Sequence, residues 1–563
     1  MRRWLSVGGL ILSAWCVWAL WTLPPRSAAL RLPQPGAGDP AVVRGVLHVH
    51  SRASDGTGTV EQIAAAAAAA GLRFVILTDH GDGVRRPAPP RYVGGVLCIE
   101  AVEISTTDGH YAAIGMAAPP YPLAGEARDV VEDVARLGGF GIAAHPDSAK
   151  RELRWDAWDT GFDAVEWFNA DSEWRDEPKW RLLPTLLQYA VRPAETVASL
   201  FDRPADLLRR WDTLTARRRV VGLAAADAHA RMGFAGKTDP YDEWVYLRLP
   251  SYEAIFRAFS LRIELDHDLS GNAEVDADAV VSAIRAGRVY AAFDSIAGPA
   301  WLRFVAESGG RVARQGGDLV LDGPLHLRAA CNGPPGTSLV LVRNGDAISA
   351  VHGTSLEWDD DRPGVYRVEA EAPGAPGEPP LPWIVGNPIY VGMPAPTVAA
   401  QEIPPATARL VWPSGSWHVE KDPRSDGAID STGSGDTIRH ALRFRLGLGV
   451  ASPFVAMVTP DVGALHDATR LAFRGGAVRP LRLSVQVRTV TGSAEQRWQR
   501  SIYLDSVPRD VTVTFADMRV AGTAERRPFD PADIQSLLFV IDTVNARPGD
   551  GGVAWIEGLR TER

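Results

Sequence analysis

The chain has 563 residues, 46% apolar and 23% charged, with a formal net charge of −9. At roughly 100–200 residues per domain this makes three or four folding units of ordinary globular composition, not a disordered chain. No long run of Lys or Arg is present. That argues against a surface for non-specific binding of long nucleic acid, but leaves room for a small phosphorylated substrate. Lysine occurs only at Lys150, Lys179, Lys237 and Lys421, a bias expected of a bacterial gene rich in G and C.

Arg2 and Arg3 precede an uncharged stretch from Trp4 to Leu23, closed by Pro24-Pro25-Arg26. About 20 apolar residues suffice to cross a bilayer core, and positive residues in front stay in the cytoplasm. Residues 1–26 are therefore expected to be a signal-anchor helix, with the rest of the chain on the periplasmic or extracellular side. A cleaved signal peptide is the alternative, and would make the protein secreted. The cysteines, Cys16, Cys98 and Cys331, fall in separate regions, so no disulfide framework is expected.

Residues 27–41 read as a linker rich in Pro, Gly and Ala. From residue 42 to 299, short apolar runs alternate with helix-like segments, the pattern of an α/β domain with a largely parallel sheet. Strands are expected at Val42–Val49, Phe74–Thr78, Val96–Ile104, Gly141–Ala144, Ala164–Phe168 and Val220–Ala226. The alanine-rich Val60–Ala70 segment, stopped by Gly71, reads as a helix. Arg181–Arg219 looks helical, and Ala279–Arg288 and Val289–Phe293 close the domain. Residues 300–393 are strand-rich, with Asn344-Gly345 as a turn, and read as an immunoglobulin-like β-sandwich. Residues 394–406 form a second linker, and 407–563 a second sandwich of jelly-roll type.

Histidines recur at strand ends or in glycine-rich turns throughout the α/β region: His48, His50, His80, His110, His145 and His229, accompanied by Asp55, Asp79, Glu103 and Asp227. Imidazole with carboxylate is the ligand set of borderline divalent metals such as zinc, manganese and iron. On a strand, His48 and His50 would project to one face, because side chains alternate with period two. Each piece alone is weak: paired histidines are usually structural, Ser54-Asp55-Gly56 is an ordinary turn, and Glu103 reads equally as an edge-strand surface residue. A core histidine, however, has no reason to recur at successive strand ends beside a carboxylate.

In order, His48-x-His50, Ser54-Asp55-Gly56, Thr78-Asp79-His80, Glu103, Gly109-His110, His145-Pro146 and Asp227-x-His229 resemble the PHP (polymerase and histidinol phosphatase) metallohydrolases over about residues 43–300. The wording of Arg44–Ser51 and Glu103–His110 is similar to the carbaryl-hydrolase-like (CehA/McbA) group. The resemblance implies a distorted (β/α)7 barrel holding up to three divalent ions (Zn, Mn or Fe). His48, His50, Glu103 and Asp227 would hold the first. Glu103 would bridge to a second, held by His110 and His145. Asp55, His80 and His229 would hold the third. Glu103, Asp227 and His145 are the residues assigned to catalysis, and no organic cofactor is implied.

The implied reaction is hydrolysis of a small phosphoester by a metal-bridging hydroxide. A carboxyl or carbamate ester is the alternative substrate, and a non-catalytic carbohydrate-binding envelope protein the alternative class. Asp79 is expected to orient a neighbouring ligand, Asp147 and Glu166 are candidates for similar support, and Arg52, Arg85, Arg86 and Arg175 are candidates for holding an anion. The last domain resembles galactose-binding-like modules. Trp412, Trp417, Trp498 and Trp555 could stack on an envelope sugar there, although large aromatics more often fill cores.

Overall fold

The computed structural model describes residues 13–34, 36, 40–175, 177–233, 246–393, 409–412, 416–491, 494–521 and 529–563. Residues 1–12 of the expected signal anchor lie outside them, and residues 13–21 are helical. Among the described residues no helix is long and apolar enough to cross a membrane. The chain divides into two compact units. The first comprises Met1–Ala117 and Glu126–Val398, and the second Ala118–Gly125 and Ala399–Arg563.

The first unit is mixed α/β. Its central strand, Ala41–Val49, pairs in parallel with Phe74–Leu77, which pairs in parallel with Val96–Glu100. On its other side it pairs antiparallel with Ser260–Leu265, which pairs antiparallel with Val289–Ala292. The Ser260–Leu265 strand carries no sequence signal, because Arg262 and Glu264 interrupt its apolar pattern. Both are buried and partnered: Arg262 reaches Asp294 at 2.6 Å, and Glu264 accepts from Gln315. A second sheet orders Val221–Ala225, Ala164–Asn169, Phe140–Ala143, Gly109–Ile114 and Val102–Thr106.

The expected run Val96–Ile104 is thus two strands, broken at Ala101 and divided between the two sheets. Gly109–Ile114 runs antiparallel to both its neighbours, so this sheet is mixed where a largely parallel one was expected. Backbone hydrogen bonds join the sheets at two places. His50 N donates to Ala228 O and Ala226 N to Leu47 O on one side, and Glu103 N donates to Asp79 O and Gly81 N to Glu103 O on the other. Both junctions lie where the histidines are.

Helices cover these sheets. Val60–Ala69 begins with a reciprocal capping box between Thr59 and Gln62, which satisfies two orphan N–H groups, and buries Ile63, Ala64 and Ala67. The Arg181–Arg219 excursion is three helices: Lys179–Val191, Pro193–Ala198 and Ala205–Thr215. The closing helix runs over Ala273–Arg285, earlier than the expected Ala279–Arg288, and starts at an Asn272 cap.

The expected boundary at residue 299 falls inside continuous structure. Val289–Ala292 pairs with Ile384–Gly386, so one sheet runs from the α/β region into the 300–393 sandwich. Its core includes Tyr290 and Ala297 beside Phe304, Leu327, Val368 and Trp383. Ala28–Ala29, in the expected linker, pairs with Ala297–Gly298. Within this sandwich Asn344 (φ 52°) and Gly345 (φ 92°) form the hairpin turn expected of them. A buried ion pair also ties the sandwich down, with Arg367 Nε and Nη2 donating to the two Asp212 carboxylate oxygens at 2.7 and 2.8 Å.

Among the described residues the second unit is a β-sandwich of two six-stranded sheets whose pairings are antiparallel. Leu471, Phe473, Val485, Val487, Leu537 and Phe539 fill the space between them. Trp412 belongs to this core, and Trp417 and Trp498 pack against it. Trp555 is half-buried under the Arg439 guanidinium, 4.2 Å from the ring centre. The expected linker 394–406 lies outside the described residues.

Candidate metal centre

The site begins with a departure from regular strand geometry. In the Ala41–Val49 strand the register with Phe74–Leu77 shifts between Leu47 and Val49, and His48 sits in the bulge with φ 62°. His145 (φ 28°) and Asp227 (φ 44°) also have positive φ. Non-glycine residues pay about 1–3 kcal/mol for such backbone, and it persists where surrounding contacts enforce it. The two rings of His48-x-His50 do come together, with centroids 5.1 Å apart. The bulge, not simple alternation, sets that approach, because His48 no longer follows the period-two pattern.

The loop from His50 to Gly58 folds back tightly. A Cβ at Gly56 would lie 2.1 Å from the His50 carbonyl oxygen, so only glycine fits. At Gly109, next to His110, a Cβ would meet Arg154 O at 2.4 Å, and φ is 107°. Tyr252 clamps the loop from behind: its hydroxyl donates to His50 O at 2.8 Å and accepts from Gly58 N at 3.1 Å and Thr57 N at 3.2 Å. Nothing in the sequence around Tyr252 marks it for this role.

Glu103 is the centre of the cluster and is 1% exposed, so the reading of a surface edge residue does not hold. Its Oε1 lies 2.9 Å from His110 Nδ1 and 2.8 Å from His145 Nε2. Its Oε2 lies 3.2 Å from each of His48 Nε2, His50 Nε2 and His80 Nδ1. Asp227 Oδ1 is 3.4 Å from His48 Nε2 and 3.2 Å from His50 Nε2. Asp55 Oδ2 is 3.2 Å from His229 Nε2 and 3.7 Å from His80 Nε2. All nine residues named as ligands from the sequence thus meet in one place.

Four sets of ligand atoms are each close enough to share an ion: His50, Asp55, His80 and His229; His48, Glu103 and His145; His48, His50 and Asp227; and His80, Glu103 and His110. This grouping differs from the expected partition, since His50 also falls with Asp55 and His229, and His80 also falls with Glu103 and His110. The donors fit a cation on a separate ground. His48 Nε2, His50 Nε2, His80 Nδ1, His145 Nδ1 and Glu103 Oε2 are buried and without hydrogen-bond partners. Orphaned buried polar atoms are costly, and divalent ions coordinated by these nitrogens and oxygens would satisfy them.

A supporting layer holds the donors. Glu166, fully buried, accepts from His48 Nδ1 through Oε1 at 2.6 Å, which leaves His48 Nε2 to face the cluster. Glu166 Oε2 accepts from His145 N at 2.8 Å and Asn169 Nδ2 at 2.9 Å. The sequence singled out Glu166 only as a weak candidate for support. Asp79 contacts the Ser51–Ser54 loop: Ser51 N, Ser51 Oγ and Ser54 Oγ each donate to it at 2.7 Å. Asp147 joins none of the four sets, and burial pushes its carboxyl up to about 6.

Electrostatics follow from this crowding. Burial alone would lower the pKa of His50, but the carboxylates of Asp227 and Glu103, each 3.2 Å from its Nε2, outweigh it and raise it to about 10. His145 is raised to about 9, chiefly by Glu103 against the same opposing burial. Burial would raise Glu103 and Asp227, yet the surrounding imidazoles, His48 foremost, hold both well below the usual carboxylate range.

A cavity of about 590 Å³ opens beside the cluster. His145 and Asp227 line it together with Lys150 and Arg175; Glu103 does not. Of the four candidate anion-binding arginines, only Arg175 lines this space. Arg52 Nε donates to Thr57 O at 2.8 Å, and Arg85 and Arg86 are exposed. Another cavity, of about 610 Å³, is lined by Arg44, Glu253, Arg257 and Asp294 and includes no residue of the cluster.

Comparison with known proteins was made against this geometry. No protein-family model matches the chain, and no curated protein matches it. Solved structures with similarity include a two-domain protein of Bacteroides vulgatus containing a predicted PHP-like metal-dependent phosphoesterase. That match has 13% identity and a TM-score of 0.29, covering 64% of this chain and 99% of the other. The family 11 carbohydrate-binding module of Clostridium thermocellum matches at 13% identity and a TM-score of 0.22, over 27% of this chain and 95% of the module. The N-terminal cellulose-binding domain of a Cellulomonas fimi β-1,4-glucanase matches at 20% identity and a TM-score of 0.17, over 26% of this chain and 89% of that domain. Likenesses this distant carry no argument about activity, and the functional reading rests on the cluster.

Proposed function

We propose that this protein is a metal-dependent hydrolase of the PHP type, acting on a small phosphoester. The carrying observation is Glu103, a buried carboxylate faced by five imidazoles, several with orphaned nitrogens turned toward it. His48, His50, Asp55, His80, Glu103, His110, His145, Asp227 and His229 would hold up to three divalent cations. Bound there, such cations supply Lewis acidity and acidify water near neutral pH. The strands on either side of the two sheet junctions are read as the distorted barrel of that fold.

The chain's own residues supply the rest. His145 and Asp227 present the cluster to the cavity, and Lys150 places positive charge beside it, as does Arg175, which Asp171 holds in position. That pairing of cations with a metal-ligand set suits a phosphoryl group more than a neutral carboxyl or carbamate ester. Glu166 and Asn169 fix His48 and His145 from behind and touch no substrate. Export of the chain, membrane attachment through its first 26 residues, and carbohydrate contact by the C-terminal sandwich belong to this proposal and rest on the sequence. Protease accessibility in intact cells checks the export.

The test is metal reconstitution of the full chain with Zn, Mn or Fe, followed by a panel of phosphomonoesters, nucleotides, phosphodiesters and carboxyl esters. Metal-dependent turnover of a phosphoester, lost in Asp227→Ala with the fold retained, is the expected result. A folded protein that takes up no divalent ion would overturn the reading, and turnover of carboxyl esters alone would overturn its phosphoester part.

A further inference from the structure

The cavity beside the cluster has a mixed lining. Its charged groups are His145, Asp227, Lys150 and Arg175, whose guanidinium is held by Asp171, with Glu177 also at the wall. Its apolar groups include Leu182, Leu186 and Tyr189 of the Lys179–Val191 helix, together with Val197, Leu200 and Leu249. Positions 182, 185, 186 and 189 all line the cavity. Their spacing is that of one helical stripe, so the wall runs along the helix for about 10 Å at 1.5 Å per residue. Leu186 keeps 37% of its surface exposed, an apolar side chain facing open space rather than core.

A site for a wholly polar substrate such as a sugar phosphate would have no use for this wall. Pockets bind with mostly apolar lining and a few placed polar groups, and here the polar groups are gathered at the candidate metal cluster. Resting on the phosphoesterase reading above, we infer that the substrate is an amphiphilic phosphoester, its phosphoryl head at the cluster and an apolar chain against the Leu182–Tyr189 stripe. Lys150 and Arg175 match the charge of the head. Val197, Leu200 and Leu249 exclude water from the chain.

The experiment measures binding, independently of turnover. A series of n-alkylphosphonates from ethyl to octyl, with n-alkyl carboxylates in parallel, is titrated calorimetrically into full-length metal-loaded protein. Each fully buried methylene should tighten binding about fourfold, the equivalent of ~0.8 kcal/mol, until the chain outruns the wall. Octylphosphonate should therefore bind at least about tenfold tighter than ethylphosphonate, and the uncharged Leu186→Asn should narrow that gap several-fold with metal content retained. If Leu186→Asn does not fold, the chain-length series on the unaltered protein decides alone. Phosphonate binding independent of chain length, in a protein that hydrolyses phosphoesters, would overturn this inference and leave the phosphoesterase reading standing. Chain-length-dependent binding of carboxylates but not phosphonates would overturn the phosphoester class. Equal chain-length dependence in protein that takes up no metal would sink the phosphoesterase reading itself, and with it the assignment of the head to the cluster.

Discussion

In the C-terminal sandwich the innermost side chains are Leu471, Phe473, Val485, Leu537 and Phe539. In the α/β region the equally buried positions around the site are His48, His50, Glu103 and Glu166. The sandwich gains stability from every apolar area it removes from water, at about 25 cal/mol per Å². The histidine cluster opposes folding unless each charge meets its complement, because an unpaired buried ion costs several kcal/mol. One region is therefore built to be stable by itself. The other is built to hold something, and its surroundings, the Tyr252 clamp and the Glu166 brace, keep it in place until it does.

The comparison breaks most sharply at Glu103. Glu103→Ala removes the one carboxylate shared by five imidazoles, so metal uptake should collapse and kcat/KM fall on the order of 10³-fold. Metal analysis and kinetics, with circular dichroism as the fold control, check this. The opposite result is expected in the sandwich. Phe539→Ala should destabilise that unit by about 3–5 kcal/mol and leave turnover per folded molecule unchanged. Hydrogen exchange over residues 417–563 measures the first, and active-site-normalised rates the second.

A smaller effect separates support from ligation. Glu166→Gln keeps the shape but loses the charge that fixes His48, and should weaken metal affinity about 10–100-fold with stability little changed. Competition with a chelator of known affinity reads it, and unchanged affinity would deny Glu166 its positioning role. The smallest and most graded effect is in pH. His50 is raised from 6.5 to about 10 in the metal-free fold, so the stability it contributes is complete below pH 6.5 and is lost as pH rises through about 10. Metal binding must expel that proton, so affinity should climb over the same window and the gap in Tm between loaded and metal-free protein should widen. Calorimetry in buffers of different ionisation enthalpy should show proton release at pH 7.

Much of the first unit was legible because its strands are continuous apolar runs, and the nine residues of the cluster were picked out because their motifs, in order along the chain, resemble the PHP pattern. Other features left no local trace. Ser260–Leu265 looked polar because the partners of its charged side chains lie 32 and 51 residues away: Asp294, which pairs with Arg262, and Gln315, which donates to Glu264. Val96–Ile104 looked like one strand because the break at Ala101 serves the junction of two sheets, not any local preference. Tyr252 is one tyrosine among 11, and its clamp on His50 spans 202 residues of sequence.

By itself, then, the sequence pointed to which residues meet: an ordered series of histidine and carboxylate motifs can be matched to a known pattern because each motif is local and its chemistry is unusual in a core. The tertiary structure decided how they meet. The bulge at His48, the division of donors into four overlapping sets and the apolar stripe in the same cavity as Lys150 and Arg175 depend on distant backbone being brought together, and such long-range packing leaves no periodic mark on the chain.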